Sequence, residues 1–291
     1  MQVISVAHKL SDLPFKAWNY LKRNAFNSSP FSKSAIKSDS EGTFYEEAVE
    51  NILSSESQFK RFRRKYDYRE ILEHVDFELG KEYFLRIKEL DPQLKTAKKG
   101  FNRNDSIGSP RSYQYPHFEK ISPTTLRYIA VALEIEKEID FQNIHKIVEI
   151  GAGYGGQAAI LDKLIPNLEY FIFDLPLVQK LIGKYLSSLG MRNFTHMSLA
   201  DTTTNREFDL VISNYAFSEL PKNLQIEYLE KVLLKSKNGY LIMNSGRGNS
   251  TGRSTGKLSL EEISDRIPGL LVKEEIPLTS PDNYVIYWLA N

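Results

Sequence analysis

The segment Lys146-Ile147-Val148-Glu149-Ile150-Gly151-Ala152-Gly153-Tyr154-Gly155-Gly156-Gln157 constrains the fold more than any other part of the chain. Its short β-branched run reads as a buried strand, and glycines at 151, 153 and 156 suit a tight turn that opens a helix. A strand, glycine turn and helix in that order belong to an open α/β sheet, whose ligands bind at the carboxyl ends of the strands. The following chain continues the alternation. Apolar runs at 170–173, 210–213 and 240–243, with a weaker one at 194–198, predict further strands. Helical periodicity falls on 156–164, 177–189 and 224–234. A helix over 260–266 and strands over 271–276 and 284–289 complete the chain. The last two strands are too close for a helical crossover, so they should run antiparallel. The expected class is α/β, a Rossmann-like sheet closed by an antiparallel C-terminal strand pair.

Upstream, residues 1–121 read as a mainly helical region and 122–291 as the ligand-binding domain. A short helix is expected from Asp12 to Pro14 onward, carrying Ala17, Trp18 and Leu21, with a Ser-rich loop after it. A second has Phe44, Ala48 and Ile52 on one face, with Thr43 and Glu46 at capping-box spacing. A third pattern runs through Ile71, Leu72, Val75, Leu79, Phe84, Ile87 and Leu90, interrupted near Gly80 and stopped by Asp91-Pro92. Residues 95–123 lack periodicity and read as a long connection, a kind of segment that is usually functional or disordered. Ser122-Pro123 then looks like an N-cap and first helical position ahead of Leu126, Ile129, Ala130 and Leu133. The basic run 60–65 is flanked by Glu56, Asp67 and Glu70, so it reads as a solvated helix face rather than a nucleic-acid patch.

Composition narrows the function classes. With 38 basic and 37 acidic residues the net charge is +1, so no global field draws the chain to nucleic acid or membrane. The absence of cysteine excludes disulfides, thiolate nucleophiles and cysteine-ligated metals. No run approaches the ~20 apolar residues of a membrane span, and the N-terminus lacks the pattern of a signal peptide. A cytoplasmic protein is expected.

The glycine pattern alone also fits dinucleotide-binding enzymes. Glu149 shifts the balance. A carboxylate two residues before the first glycine suits a cationic or amino-bearing ligand and repels a pyrophosphate. S-adenosylmethionine carries an ammonium and a sulfonium and no phosphate. Gly151, Ala152, Gly153 and Gly155 would form the donor loop. Asp174, ahead of Leu175 at the end of the next strand, can accept hydrogen bonds from ribose hydroxyls. Asp201 is placed either to contact the adenine amino group or to serve as a turn residue. Asn214 and Tyr215 follow the fourth strand at the ligand-binding edge, Asn214 toward the donor and Tyr215 toward the acceptor or into packing. The closing antiparallel pair belongs, by fold-level analogy, to the methyltransferase sheet.

Residues 147–157 resemble the first motif of the sugar O-methyltransferases of bacterial surface-glycan clusters. The similarity extends through Ile121-Ser122-Pro123-Thr124-Thr125-Leu126-Arg127-Tyr128, Asp174-Leu175-Pro176, residues 209–219 and Leu278-Thr279-Ser280-Pro281-Asp282-Asn283-Tyr284. It covers roughly the C-terminal two-thirds, with weaker similarity around Ile71-Leu72-Glu73-His74-Val75. Asp174-Leu175-Pro176 is also similar to plant small-molecule O-methyltransferases, whose aspartate there binds ribose. The resemblance implies a class I methyltransferase fold with S-adenosylmethionine as donor and a small-molecule or glycan acceptor. Gly108-Ser109-Pro110 departs from an expected Gly-Asn-Pro, which would bear on the acceptor if that segment touches it.

Methyl transfer from a sulfonium is an in-line displacement that depends on alignment. A sugar hydroxyl is a poor nucleophile and benefits from a base. Glu219 is the preferred candidate, followed by His117 and His74; Glu219 could instead be a charge near a helix N-terminus. Arg247, with Arg253 and Lys257 in a Gly/Ser/Thr-rich stretch, could close over a phosphate-bearing acceptor or form a solvated loop. No compact His/Asp/Glu cluster argues for a metal. N-methylation of a small molecule, or a non-catalytic donor-binding scaffold, are the alternatives.

Overall fold

The computed structural model describes residues 43–200, 206–245, 256–281 and 283–290. The helix expected near residue 12, Asp201, Arg247 and Arg253 lie outside the described residues. Seven strands form one sheet: β1 (Lys146–Ile150), β2 (Glu169–Phe173), β3 (Phe194–Met197), β4 (Phe208–Asn214), β5 (Ser236–Met243), β6 (Leu271–Glu274) and β7 (Tyr284–Trp288). Their order is β3-β2-β1-β4-β5-β7-β6. The first five strands run parallel, and β7 pairs antiparallel with both β5 and β6. This is an α/β, Rossmann-like sheet with the expected antiparallel pair at its C-terminal end. In the register, Glu149 lies between Ile172 and Ile212, so the first motif occupies the middle of the sheet.

Strand alternation feeds two apolar layers. Ile147 of β1 packs in the layer that holds Tyr45, Val49, Tyr83, Ile129 and Leu181. Val148 and Ile150 join the opposite layer with Phe217, Leu229, Leu233 and Ile263. The N-terminal helices therefore share a core with one face of the sheet. Helix Pro123–Glu138 links the two parts: Ser122 Oγ accepts from Thr125 N at 3.2 Å, and Pro123 occupies the first turn, as its sequence predicts.

Several local expectations need correction. Thr43 is already helical in Thr43–Leu53, so the cap is not at Thr43. Tyr45, Val49 and Ile52 are buried there, whereas Ala48 is only half-buried. Gly80 does not interrupt a helix. Helix Phe77–Leu90 runs through it, capped by Asp76 Oδ1 accepting from Leu79 N at 2.9 Å. The break falls earlier, between Tyr66–Ile71 and Phe77. Gly80 is there for close approach, since a Cβ would overlap the Tyr115 hydroxyl and Pro123.

The long connection is folded and cross-linked. It contains the 3-10 segments Lys95–Lys99 and Phe101–Ser106 and a bridge between Tyr113 and Ile121. Its anchor is Arg63, expected in a solvated run but fully buried. Arg63 pairs with Glu73, with Asp105 Oδ1 at 2.9 Å, with the Asn104 carbonyl at 3.0 Å and with Ser122 Oγ at 3.0 Å. Both carboxylates are nearly as buried as the guanidinium, so every charge has a partner. Ser109, the departure in the Gly-Asn-Pro position, has a left-handed backbone (φ 50°), a conformation asparagine adopts readily. Its Oγ donates to the Lys60 carbonyl at 2.9 Å, so this segment secures the Arg63 turn.

Replacing Arg63 by Met strands Glu73 and Asp105 without a counter-charge. Loss of one partner of a buried pair costs about 3–5 kcal/mol. Urea unfolding should show a destabilisation of that order.

Candidate functional site

The turn after β1 is left-handed at Gly151 (φ 74°), Gly153 (φ 62°) and Gly155 (φ 93°), a backbone that residues with a Cβ rarely adopt. Neighbours press on it from several elements. A Cβ on Gly151 would overlap Ala216, the first residue of the short helix Ala216–Glu219 after β4. A Cβ on Gly156 would overlap the Tyr128 ring, from helix Pro123–Glu138. Tyr154, the bulky member of the loop, is fully buried among Phe62, Tyr128 and Tyr185, with the Arg63 guanidinium 4.8 Å from its ring centre. Asn104 Nδ2 donates to the Gly156 carbonyl at 3.0 Å. The N-terminal region thus holds the loop from behind.

Asp174, at the end of β2, reaches the same loop. Its Oδ2 accepts from Gly153 N at 3.3 Å and its Oδ1 from Leu175 N at 2.8 Å. A carboxylate offers about four acceptor positions, so capacity remains for a ligand hydroxyl. Leu175 directly precedes helix Pro176–Ser188, and Ala152 is buried in the turn. Glu149 lies beneath the loop at 1% exposure, with the Tyr170 hydroxyl donating to its Oε2 at 2.8 Å. Burial raises the Glu149 pKa to about 8; the Tyr170 hydrogen bond opposes the rise and the charge of Asp174 adds to it. Burial likewise raises Asp174 to about 7, against the backbone N–H groups of Leu175, Gly153 and Ala152 that favour its ionised form. Two carboxyl groups that resist ionisation therefore line the floor and edge of one glycine turn.

Beside this turn, Ser213 ties β4 to β1. Its Oγ donates to the Ile150 carbonyl at 2.8 Å and accepts from Phe217 N at 3.0 Å. Asn214 is half-buried at the end of β4, and Tyr215 follows with a left-handed φ of 73°. Strain of that kind in a bulky residue occurs where surrounding contacts impose it. Here Tyr215 N donates to the Ile242 carbonyl at 2.8 Å, and its hydroxyl donates to Glu275. Glu275 is buried, and its Oε2 accepts from Thr279 N at 3.0 Å, Thr279 Oγ1 at 2.7 Å and Asn283 Nδ2 at 2.9 Å. The C-terminal loop between β6 and β7 thereby fixes the Tyr215 ring at the carboxyl edge of the sheet.

The site brings together Glu149, Gly151, Ala152, Gly153, Gly155, Asp174 and Leu175, with Asn214 and Tyr215 on the adjoining strand. Glu219 ends the short helix after Tyr215 and is half-buried, accepting from Asn244 Nδ2 at 2.9 Å. His117 is exposed on the turn closed by the Tyr113–Ile121 bridge, with φ 66°. Among the described residues no hydrogen bond joins it to the glycine turn, and His74 is also exposed. Glu275, Tyr170 and Arg127 were not singled out from the sequence. Glu275 follows an edge strand and is indistinguishable there from a solvated acid. No group of three or more His, Cys, Asp or Glu residues able to hold a metal occurs among the described residues. No helix among them is long and apolar enough to cross a membrane.

No family model matches the chain, and none of the curated proteins matches it. Solved structures are similar to it at low identity and low TM-score. One titled "PigF with SAH" has 12% identity and a TM-score of 0.41, covering 54% of this chain and 60% of that one. An O-methyltransferase family protein from Burkholderia thailandensis has 12% identity and a TM-score of 0.41, covering 73% and 71%. An rRNA methylase from Streptococcus thermophilus has 15% identity and a TM-score of 0.41, covering 55% and 97%. This chain thus spans less than two thirds of the length of the PigF structure.

The raised pKa values have a stability consequence. The folded state keeps protons on Glu149 and Asp174 over a range where the unfolded chain has lost them. Stability from this source is complete below the unfolded carboxyl value and falls as pH rises through about 7 and about 8. Urea unfolding of the ligand-free protein at about pH 5.5 and about pH 8.5 should show weakening at the higher pH. Glu149→Gln, which removes one of the two titrations, should weaken less over that interval.

Proposed function

We propose that the chain is an S-adenosylmethionine-dependent O-methyltransferase acting on a sugar or surface-glycan precursor. The observation that carries the donor assignment is the pair of carboxyl groups, Glu149 and Asp174, at a left-handed glycine turn. A cationic ligand favours their ionised forms and is stabilised by them; a pyrophosphate would meet them as negative neighbours. The residues fit the donor. Asp174 retains acceptor capacity for ribose hydroxyls beside the left-handed Gly151–Gly155 turn. Asn214 and, outside the described residues, Asp201 complete the donor-side assignment.

The bound donor supplies an electrophilic methyl group on sulfur. This chain's own residues orient the reactants. Tyr215, held by Glu275, forms part of the acceptor wall beside the donor loop, and Arg247 is assigned to an acidic part of the acceptor. Glu219 takes the proton of the attacking hydroxyl, with Asn244 orienting its carboxylate; His117 is the second candidate for that proton. In this reading residues 122–291 form the donor-binding domain, and the region 1–121 buttresses its loop and contributes the acceptor side. The sugar assignment rests on the sequence resemblance.

Calorimetric titration should give binding of S-adenosylmethionine and none of NAD; the reverse pattern would remove the donor assignment. Glu219→Gln should bind the donor as the wild type does. It should also lose at least about tenfold in methyl transfer to glycan extracts of a strain lacking the gene. Unchanged transfer would exclude Glu219 as the base.

A further inference from the structure

Arg127 belongs to helix Pro123–Glu138, the element whose Tyr128 packs on Gly156. It is only 7% exposed, yet among the described residues its guanidinium has no hydrogen bond and no ion pair. Its neighbours are rings: Tyr128 centred 5.3 Å away and Tyr215 centred 5.8 Å away. Arginine cannot discharge itself by losing a proton, so a buried guanidinium without a partner is held at a cost that an anion would relieve. Glu275 lies on one side but is outside ion-pair distance, and both its oxygens are already taken by Tyr215, Thr279 and Asn283. On the other side the charge of Arg127 is felt at Glu149 under the glycine turn. Arg127 therefore faces the junction between the donor turn and Tyr215. Arg63, buried to the same degree, makes the contrast plain: all of its donating groups are matched by oxygens.

We propose that Arg127 binds the α-carboxylate of the donor's amino-acid head. The inference rests on the donor reading above and adds its anionic half. An amino-acid head carries both signs, and the site carries both in return: carboxyl groups at Glu149 and Asp174, and a guanidinium at Arg127. Planar N–H pairs match a carboxylate in two-point geometry, and the flanking tyrosine faces restrict the guanidinium to one plane. The helix that packs the back of the loop would also read the ligand in front of it.

The test uses three thioethers in calorimetric titration: S-adenosylhomocysteine, its decarboxylated amine, and 5′-methylthioadenosine, which lacks the whole head. Arg127→Gln should bind S-adenosylhomocysteine about tenfold to a hundredfold more weakly while binding of the other two is unchanged. Wild type should prefer S-adenosylhomocysteine to its decarboxylated amine by a similar factor, and Arg127→Lys should retain part of that preference. Thermal unfolding of each variant checks that it is folded. If Arg127→Gln does not fold, the wild-type preference and its reduction in Arg127→Lys decide the matter. Equal wild-type binding of the carboxylate and its decarboxylated form overturns the proposal, as does an equal loss for all three thioethers in folded Arg127→Gln. Wild type that binds none of the three overturns the donor reading itself.

Discussion

A turn with three left-handed glycines in five residues has little side chain of its own with which to define a shape. Its geometry is imposed by what presses on it. Tyr128 meets Gly156, Ala216 meets Gly151, Asp174 accepts from Gly153, and Tyr154 is drawn backward into an aromatic cluster. These contacts come from helix Pro123–Glu138, the segment after β4, the end of β2 and the N-terminal region. Each of the four must be in place before the turn is. The sheet positions two of them, the end of β2 and the segment after β4, since β1 lies between those strands and all three run parallel.

The second constraint is charge. Away from the turn, buried charge is matched: Arg63 with Glu73 and Asp105, and Arg86 with Glu134. Around the turn it is not. Glu149 and Asp174 are pushed toward their neutral forms, and Arg127 has ring neighbours and no ion pair among the described residues. The contrast has a physical meaning. A structure stabilised for its own sake pairs its buried ions, and buried ionisable groups without a counter-charge mark candidate binding sites. The cross-linked 95–123 segment belongs to the first category. It carries Asn104 and Asp105, which transmit the Arg63 anchor to the helix cap at Ser122 and to the Gly156 carbonyl.

The parallel strands and their helices were legible because each carries its signal within a few residues. Residues 156–164 coincide with the observed helix, and Ser122-Pro123 capped as expected. The antiparallel end followed from the short connection between the last strands. What failed depended on partners distant in the chain. Gly80 looks like a helix break until Tyr115 and Pro123, over thirty residues later, are seen against it. Arg63 sits in a basic run that looks solvated, because its counter-charge at Asp105 is 42 positions away. Arg127 lies in a helix buried on all sides from Pro123 to Ile135, whereas its sequence shows an apolar face beside which an arginine ordinarily extends to solvent.

By itself, then, the sequence determined the class of sheet, the strand that carries the glycine turn and the acidic residues at its edge. These follow from local periodicity and from the left-handed backbone that glycine permits. Only the tertiary structure decided that Glu149 is buried beneath the turn rather than facing solvent. It likewise decided that Asp174 clamps the loop as well as lining it, and that Arg127 stands beside them with no ion pair among the described residues. Protonation and pairing depend on desolvation by residues remote in the chain, and no local pattern encodes that.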